Sequence, residues 1–170
     1  MGGVARRAAV IKKLRMRDPG LILLSAGDFY AKPGIVEMYR SRFLSGIMID
    51  IGYTAVALGE KELSYGLRPI KDDAERGLPV ICANLYEDGK RVFPPFLIKE
   101  VSGAKVGIFS LLDQDLKRDL SVEIRDPILE GRTVAAELRG SCDYLILLAH
   151  MSRDKPVSYT HLTLPTTPYV

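Results

Sequence analysis

The sequence is poor in cysteine, with only Cys82 and Cys142 among its 170 residues. Both lie in or beside apolar runs, so small buried thiols account for them without a disulfide or a cysteine-based metal site. Long hydrophobic runs are also missing, since no stretch approaches the roughly 18 consecutive apolar residues of a membrane span. Residues 1–7 lack the apolar core of a signal peptide. If Met1 is the true beginning, we expect a soluble, untargeted chain without a membrane partner.

A strong excess of charge of one sign is absent as well. The formal net charge is +3 and the sequence pI is about 8.8, with much of the basic excess within residues 6–17. Such a mild and local excess is more typical of a solvated helix face than of a nucleic-acid interface, so no nucleic-acid partner is expected. A hydrophobic content of 47% favours one globular domain with a substantial core.

Short apolar runs alternate with stretches of helical spacing. The patterns predict helices at 4–17, 35–51, 69–76 and 128–139, strands at 21–24, 54–58, 79–83 and 144–149, and a hairpin of 96–101 with 104–112. Residues 113–126 are polar and are predicted to be irregular. The alternation indicates an α/β fold, and the hairpin indicates that its sheets are mixed. In the second helix an apolar stripe predicts a face packed on a sheet. It consists of Ile35, Tyr39, Phe43, Ile47 and Ile51 at a spacing of four, widened by Met38, Leu44 and Met48.

Three predicted strands deliver polar groups where they end, namely Asp28, the segment 59–62 (Gly-Glu-Lys-Glu) and His150. Ligands of open α/β sheets gather outside the carboxyl ends of the strands. Asp28 is therefore well placed to hold a metal ion or a polar substrate, although capping of the next helix is the commoner role of such an aspartate. For residues 59–62 the alternative is a solvated loop with local ion pairs.

Several segments, in this order and near this spacing, resemble calcineurin-like metallophosphoesterases, and more narrowly the N-terminal catalytic domain of the bacterial 5′-nucleotidase and 2′,3′-cyclic phosphodiesterase group. They are Gly-Gly-Val-Ala-Arg-Arg at 2–7, Ser-Ala-Gly-Asp at 25–28, Ile-Gly-Tyr-Thr-Ala-Val-Ala-Leu-Gly at 51–59, and the segments 79–85, 94–98 and 147–150. The combined pattern is specific, whereas each piece alone is weak.

The resemblance implies mixed β-sheets flanked by helices, an incomplete α/β/β/α sandwich. It also implies a pair of divalent metals, of manganese, zinc, iron or magnesium, that clamps a phosphate and activates a water. On this likeness Asp28 matches the metal-bridging aspartate, which now outweighs its role as a cap, and His150 matches a metal-binding histidine.

The sequence departs from the family pattern at residues 59–64. The usual Gly-Asn-His-Glu, with an aspartate two residues further on, is replaced so that Glu60 stands for asparagine, Lys61 for histidine and Ser64 for aspartate. Glu60 can still offer a carboxylate oxygen to a metal. Lys61 can neutralise phosphate charge in the catalytic position of the histidine, but it cannot exchange protons near neutral pH as histidine does.

The ends of the sequence bear on domain organisation. The family's Asp-x-His motif and its later Gly-His-x-His motif have no counterpart in the 170 residues. We therefore expect residues 1–156 to be a partial metallophosphoesterase domain with too few ligands for the metal pair. Residues 157–170 look like translated sequencing adaptor and are expected to be a disordered tail, so His161 is given no role.

Two functions remain open on these grounds. The first is a piece of a metal-dependent phosphoesterase that hydrolyses phosphate esters of nucleotides or similar small molecules, and that by itself hydrolyses AMP poorly or not at all. Its parent would carry a C-terminal substrate domain and, like its relatives, would be periplasmic or exposed at the cell surface. The second is a non-catalytic binding or interaction module, which the changes at Glu60, Lys61 and Ser64 favour.

Overall fold

A computed structural model describes residues 3–116 and 122–151. Within this part of the chain the helices are α1 (Val4–Arg17), α2 (Ile35–Ile51), α3 (Glu60–Leu63), α4 (Leu67–Glu75) and α5 (Pro127–Leu138). The strands are β1 (Leu24–Ser25), β2 (Ala55–Val56), β3 (Leu85–Glu87), β4 (Lys90–Arg91), β5 (Phe96–Val101), β6 (Ala104–Leu112), β7 (Glu123–Ile124) and β8 (Tyr144–His150).

The strands form three sheets. β1 and β2 are parallel neighbours in one of them. In the second, β6 pairs with β5 in antiparallel and with β8 in parallel orientation. The third is a small antiparallel sheet in the order β4-β3-β7. The predicted α/β class with mixed sheets is thereby confirmed.

The helices and sheets are stacked in four layers, because alternate side chains of each strand pack against opposite neighbours. The inner cluster, between the β1-β2 sheet and the β5-β6-β8 sheet, contains Ala55, Ala57, Ile81, Val106, Ile108 and Leu148. Successive residues of a strand point to opposite faces, so Val56 and Leu58 instead join Met48 of α2 and Ile70 of α4. On the far side Phe109 and Leu111 of β6 pack against Val134 and Leu138 of α5. The layers are therefore helices, sheet, sheet and helix, as the family likeness implied.

Local sequence sets where several helices begin and end. The Asp126 carboxylate accepts hydrogen bonds from the backbone N–H groups of Ile128 (2.7 Å) and Leu129 (3.1 Å), and Pro127 occupies the first turn, so α5 begins one residue before its predicted start. α2 ends at Gly52, whose φ of +77° is in the left-handed region that glycine adopts without strain.

Regular strand structure is less extensive than predicted. Residues 79–83 do not form a strand, because Val80 makes only an isolated bridge to Val56 while Cys82 and Ala83 donate to Pro94 and Ser110 in other parts of the fold. The segment crosses between sheets and cannot follow one ladder. The short hairpin of β3 and β4 was not predicted. Residues predicted to be irregular include β7, although 117–121 of that stretch lie outside the described residues.

The predicted packing face of α2 is wrong in its first half, where Ile35, Tyr39 and Phe43 are exposed. Met48 of the predicted face is buried, but Ser41 and Ser45 are buried with it. The hydroxyl groups of the two serines donate to the helix carbonyls of Glu37 and Ser41, which satisfies them away from water and lets a face of small residues approach its neighbours closely. A spacing of four identifies a helix, but it does not decide which side of the helix the rest of the protein covers.

The expectations for the cysteines and for membrane spans concern residues that the structure describes, whereas those for the C-terminal tail do not. Cys82 is completely buried, but Cys142 is only partly buried. Burial raises the pKa of the Cys82 thiol to about 12. None of the helices in residues 3–116 and 122–151 has the length and apolar character needed to cross a membrane. The domain boundary at 156, the tail 157–170 and His161 lie outside the described residues.

Candidate functional site

Asp28 lies in a tight turn just after β1. Gly27 has a φ of +92° and Asp28 a φ of +60°, so two successive residues are in the left-handed region. At Gly27 a Cβ atom would lie 2.6 Å from the carbonyl carbon of Leu58, which shows how closely this turn approaches the chain after β2. The turn therefore holds the Asp28 side chain beside residues 58–62.

The Asp28 carboxylate contacts two of the other predicted site residues. Its Oδ2 lies 3.1 Å from the Lys61 Nζ, and its Oδ1 lies 3.6 Å from the His150 Nε2. The backbone N–H of Lys61 also donates to Oδ1, at 3.2 Å. Each of the three side chains is between 25% and 33% exposed. Asp28, Lys61 and His150 therefore form a solvent-accessible cluster, which we call the rim.

His150 reaches this rim through the alternation of β8. Ile146 and Leu148 point into the inner cluster between the sheets, so His150, two residues further on, points to the same side at the end of the strand. Its Nδ1 lies 3.2 Å from the carbonyl oxygen of Ala26. Because a carbonyl only accepts, a proton on Nδ1 completes this hydrogen bond, and Nε2 is the ring nitrogen that faces Asp28.

The surroundings favour the ionised form of Asp28. Partial burial by itself raises the pKa of this carboxyl group, but the backbone N–H and the ammonium group of Lys61, together with His150, lower the pKa by more. The net result is a pKa below the usual value of an aspartate. Asp28 is thus a carboxylate at neutral pH, with its two oxygens directed at Lys61 and His150.

Glu62 is a residue of this site whose role the sequence did not reveal. Its carboxylate is fully buried and accepts three backbone hydrogen bonds, from Asp28 (2.8 Å), Tyr30 (2.7 Å) and Gly59 (2.7 Å). It therefore joins the turn after β1 to the turn after β2. The available signal was a glutamate three residues after the glycine that begins a helix, which is the spacing of a capping box. The alternative of a solvated loop is wrong for Glu62.

Glu60 differs from its neighbours. Residues 60–63 form α3, not the loop that was predicted, and the Glu60 carbonyl oxygen accepts a hydrogen bond from the Ser64 hydroxyl at 2.7 Å. The described residues contain no group of three or more histidine, cysteine, aspartate or glutamate side chains that could hold a metal ion. The structure therefore brings together Asp28, Lys61 and His150, but it does not join the Glu60 carboxylate to them as a third ligand.

Comparisons with known proteins agree with this architecture. A snake venom 5′-nucleotidase from Naja atra is 31% identical over 155 residues, covering 86% of this chain and 29% of that protein. A 5′-nucleotidase from Vibrio cholerae is 29% identical over 164 residues, covering 88% of this chain and 30% of that protein. The crystal structure of a 5′-nucleotidase precursor from Thermus thermophilus matches 92% of this chain and 33% of its own, at a TM-score of 0.81 and 26% identity. No family model matches the chain.

The chain belongs to the 5′-nucleotidase family of metallophosphoesterases. It spans about 30% of the length of the relatives named above. The sequence likeness assigned Asp28, in the turn after β1, and His150, at the end of β8, to metal ligands. That these residues bind a metal stays a prediction.

The family is metal-dependent, so the donor set at the rim can be tested against a metal pair. Asp28 and His150 offer an oxygen and an imidazole nitrogen, which are suitable ligands for such ions. The ammonium group of Lys61, however, already lies against the second oxygen of Asp28. With two ligands and a fixed positive charge, the described residues do not fit a pair of metal ions.

The absence of a side chain at Gly59 allows Asp28 and His150 to lie close to each other. A Cβ atom at this position would lie 2.8 Å from both the backbone nitrogen of Asp28 and the Cε1 atom of His150, and it would also collide with the Asp28 carboxylate. The φ of Gly59 is −132°, so the backbone conformation itself suits any residue. Lack of space around the Cα atom, and not the backbone angle, therefore requires glycine here.

We expect Gly59→Ala to push the Asp28 turn and His150 apart and to lower the free energy of unfolding by about 1–3 kcal/mol, as overpacking does. Urea denaturation measures the stability, and the NMR shift of the His150 Cε1 proton reports the local displacement. Gly46→Ala, inside α2, is the matched control, because its nearest atom is 3.5 Å away and alanine favours helix. Equal stability of the two variants would contradict the close approach.

Proposed function

We propose that these residues form part of a metal-dependent phosphoesterase of the 5′-nucleotidase type, which hydrolyses phosphate esters of nucleotides. The observation that carries the proposal is the meeting of Asp28, Lys61 and His150 at one rim, from three separated parts of the sequence. Phosphoryl transfer needs positive charge and positioned donors near the phosphate oxygens. The family membership supports phosphate esters as the substrate class.

The roles follow from the contacts. Asp28 and His150 are the proposed metal ligands, and the sequence likeness alone adds Glu60 as a further candidate. When bound, the metal would polarise the phosphate and activate a water molecule. Lys61 is placed to contribute a positive charge toward a phosphate oxygen, and its contact with Asp28 keeps the ammonium group at the rim. The ligands that complete the site, and a C-terminal domain that selects the substrate, are proposed to lie outside the 170 residues, in a protein of the periplasm or cell surface.

A second candidate function is a non-catalytic binding module. The ion pair between Lys61 and Asp28 favours it, because that pair places a fixed charge where the family uses a histidine that exchanges protons. Phosphate release distinguishes the two functions, since both can bind a nucleotide.

The test compares the 170-residue chain with a chain extended at both ends by its genomic sequence, each supplied with AMP and the diamagnetic ion Mg²⁺ and followed by ³¹P NMR. We expect the extended chain to release inorganic phosphate and the 170-residue chain to release little or none. Adenosine, which has no phosphate, serves as the control ligand and should not shift the His150 resonances.

Each result decides between the candidates. Release of phosphate by the extended chain supports the enzyme. Shifts of the AMP resonance without release support the binding module and contradict the enzyme. If the extended chain neither binds nor hydrolyses AMP, both proposals are wrong.

A further inference from the structure

The positive charge beside Asp28 comes from a side chain of the protein, the ammonium group of Lys61. Lys61 Nζ lies 3.1 Å from Asp28 Oδ2, and the backbone N–H of the same lysine donates to Oδ1. The lysine thus binds both carboxylate oxygens, one through its ammonium group and one through its backbone. His150 Nε2 approaches Oδ1 from another direction, at 3.6 Å.

This arrangement does not suit an aspartate that is shared by two divalent cations. Two dications would have to share the carboxylate with the ammonium group that already lies against its Oδ2. A dication placed on that oxygen would lie only a few ångströms from the ammonium, where repulsion between the charges is of the order of 2 kcal/mol or more even at the dielectric constant of water. The opposite oxygen, Oδ1, lies on the side of His150 Nε2 and does not face the ammonium group.

We propose that the ammonium group of Lys61 takes the place of one of the two cations, so that the protein binds at most one divalent metal ion per chain. The lysine neutralises Asp28 without a metal, and the turn after β1 holds its conformation in metal-free protein. This inference concerns cation binding alone, and it holds whether or not the protein hydrolyses nucleotides.

Binding of Mn²⁺, the probe, is measured by isothermal titration and by the loss of its free electron paramagnetic resonance signal. The original protein should bind no more than one Mn²⁺ per chain, and EDTA should leave its melting temperature unchanged. Lys61→Gln, which removes the charge and frees Oδ2, should bind Mn²⁺ at least about tenfold more tightly, and its melting temperature should rise when Mn²⁺ is added.

Two further variants test whether the charge itself is responsible. Lys61→Arg keeps a positive charge and should behave as the original protein does. Lys71→Gln removes the charge of a lysine that is equally exposed, 34% against 33% for Lys61, and equally paired with a carboxylate, that of Glu87. Because Lys71 lies on α4 in an ion pair of its own, this change should leave Mn²⁺ affinity as it was.

The proposal is wrong if the original protein binds two Mn²⁺ ions per chain, or if Lys61→Gln and Lys71→Gln bind Mn²⁺ equally well. Failure of the enzymatic proposal would appear as absence of phosphate release instead, so the two failures are distinguishable.

Discussion

Replacing Glu62 by alanine is expected to cause the largest loss of stability of any single change at the rim, about 3–5 kcal/mol. The variant removes a fully buried acceptor and leaves three backbone N–H groups, those of Asp28, Tyr30 and Gly59, without their partner. Each unsatisfied buried donor costs roughly 1–3 kcal/mol, and water entering the small cavity recovers part of this. For a chain of this size the melting temperature should fall by about 10 °C.

Glu62→Gln keeps the test informative if the alanine variant does not fold. The amide has one oxygen, which can still accept from two of the donors, but its NH₂ group faces the third donor, so a loss of about 2 kcal/mol is expected. The control is Glu137→Ala on α5, where the side chain is exposed and alanine suits the helix. If urea denaturation gave Glu62→Ala and Glu137→Ala the same free energy of unfolding, the three hydrogen bonds would contribute nothing to stability.

Asp28→Asn is expected to have the largest effect on cation binding, a loss of Mn²⁺ affinity of at least about a hundredfold, because the only carboxylate that faces both Lys61 and His150 within the described residues becomes neutral. Asparagine adopts the left-handed backbone conformation as readily as aspartate does, so the φ of +60° can persist. The backbone N–H of residue 28 can continue to donate to Glu62. Stability should therefore change much less than Mn²⁺ binding.

The matched control is Asp72→Asn. The Asp72 side chain is 26% exposed, as that of Asp28 is, and it too is paired with a cation, Arg68. Titration with Mn²⁺ and thermal unfolding of both variants separate a role in cation binding from a general effect of losing one ion pair. Unchanged Mn²⁺ affinity in Asp28→Asn would remove this residue from the proposed metal site.

The neighbours of Asp28 explain why the turn can survive such a change. Tyr30 donates its backbone N–H to Glu62 and its hydroxyl to the buried Asp73, at 2.5 Å. Asp73 is in turn paired with Arg76 at 3.0 Å. The segment is thus anchored both to α3 and to α4, independently of the Asp28 side chain.

The sequence predicted two members of the rim well. Asp28 and His150 were expected to meet because each follows a buried run. In the structure the two side chains lie 3.6 Å apart, and His150 also contacts the backbone of Ala26, 124 positions earlier in the chain. Strand ends are readable from sequence because hydrophobic runs stop where the chain leaves the core. That Asp28 and His150 bind a metal ion stays a prediction.

Glu62 shows the limit of that reasoning. A glutamate in a run of charged residues is usually solvated, and its three partners include two from a turn more than thirty residues earlier. Only the approach of that turn to residues 58–59 buries the carboxylate and supplies its donors. Conversely, the first half of the apolar stripe of α2 is exposed, because the side that carries Ser41 and Ser45 is the one that packs against its neighbours.

The sequence by itself determined the α/β class, the order of most helices and strands, and the positions at which polar groups leave the core, because these follow from the local period of apolar residues. Tertiary structure alone decided that Glu62 joins the turns beside the site, which face of α2 is covered, and that Lys61 lies against Asp28. Contacts of this kind depend on how separate segments approach one another in space, and no local pattern of residues records that distance.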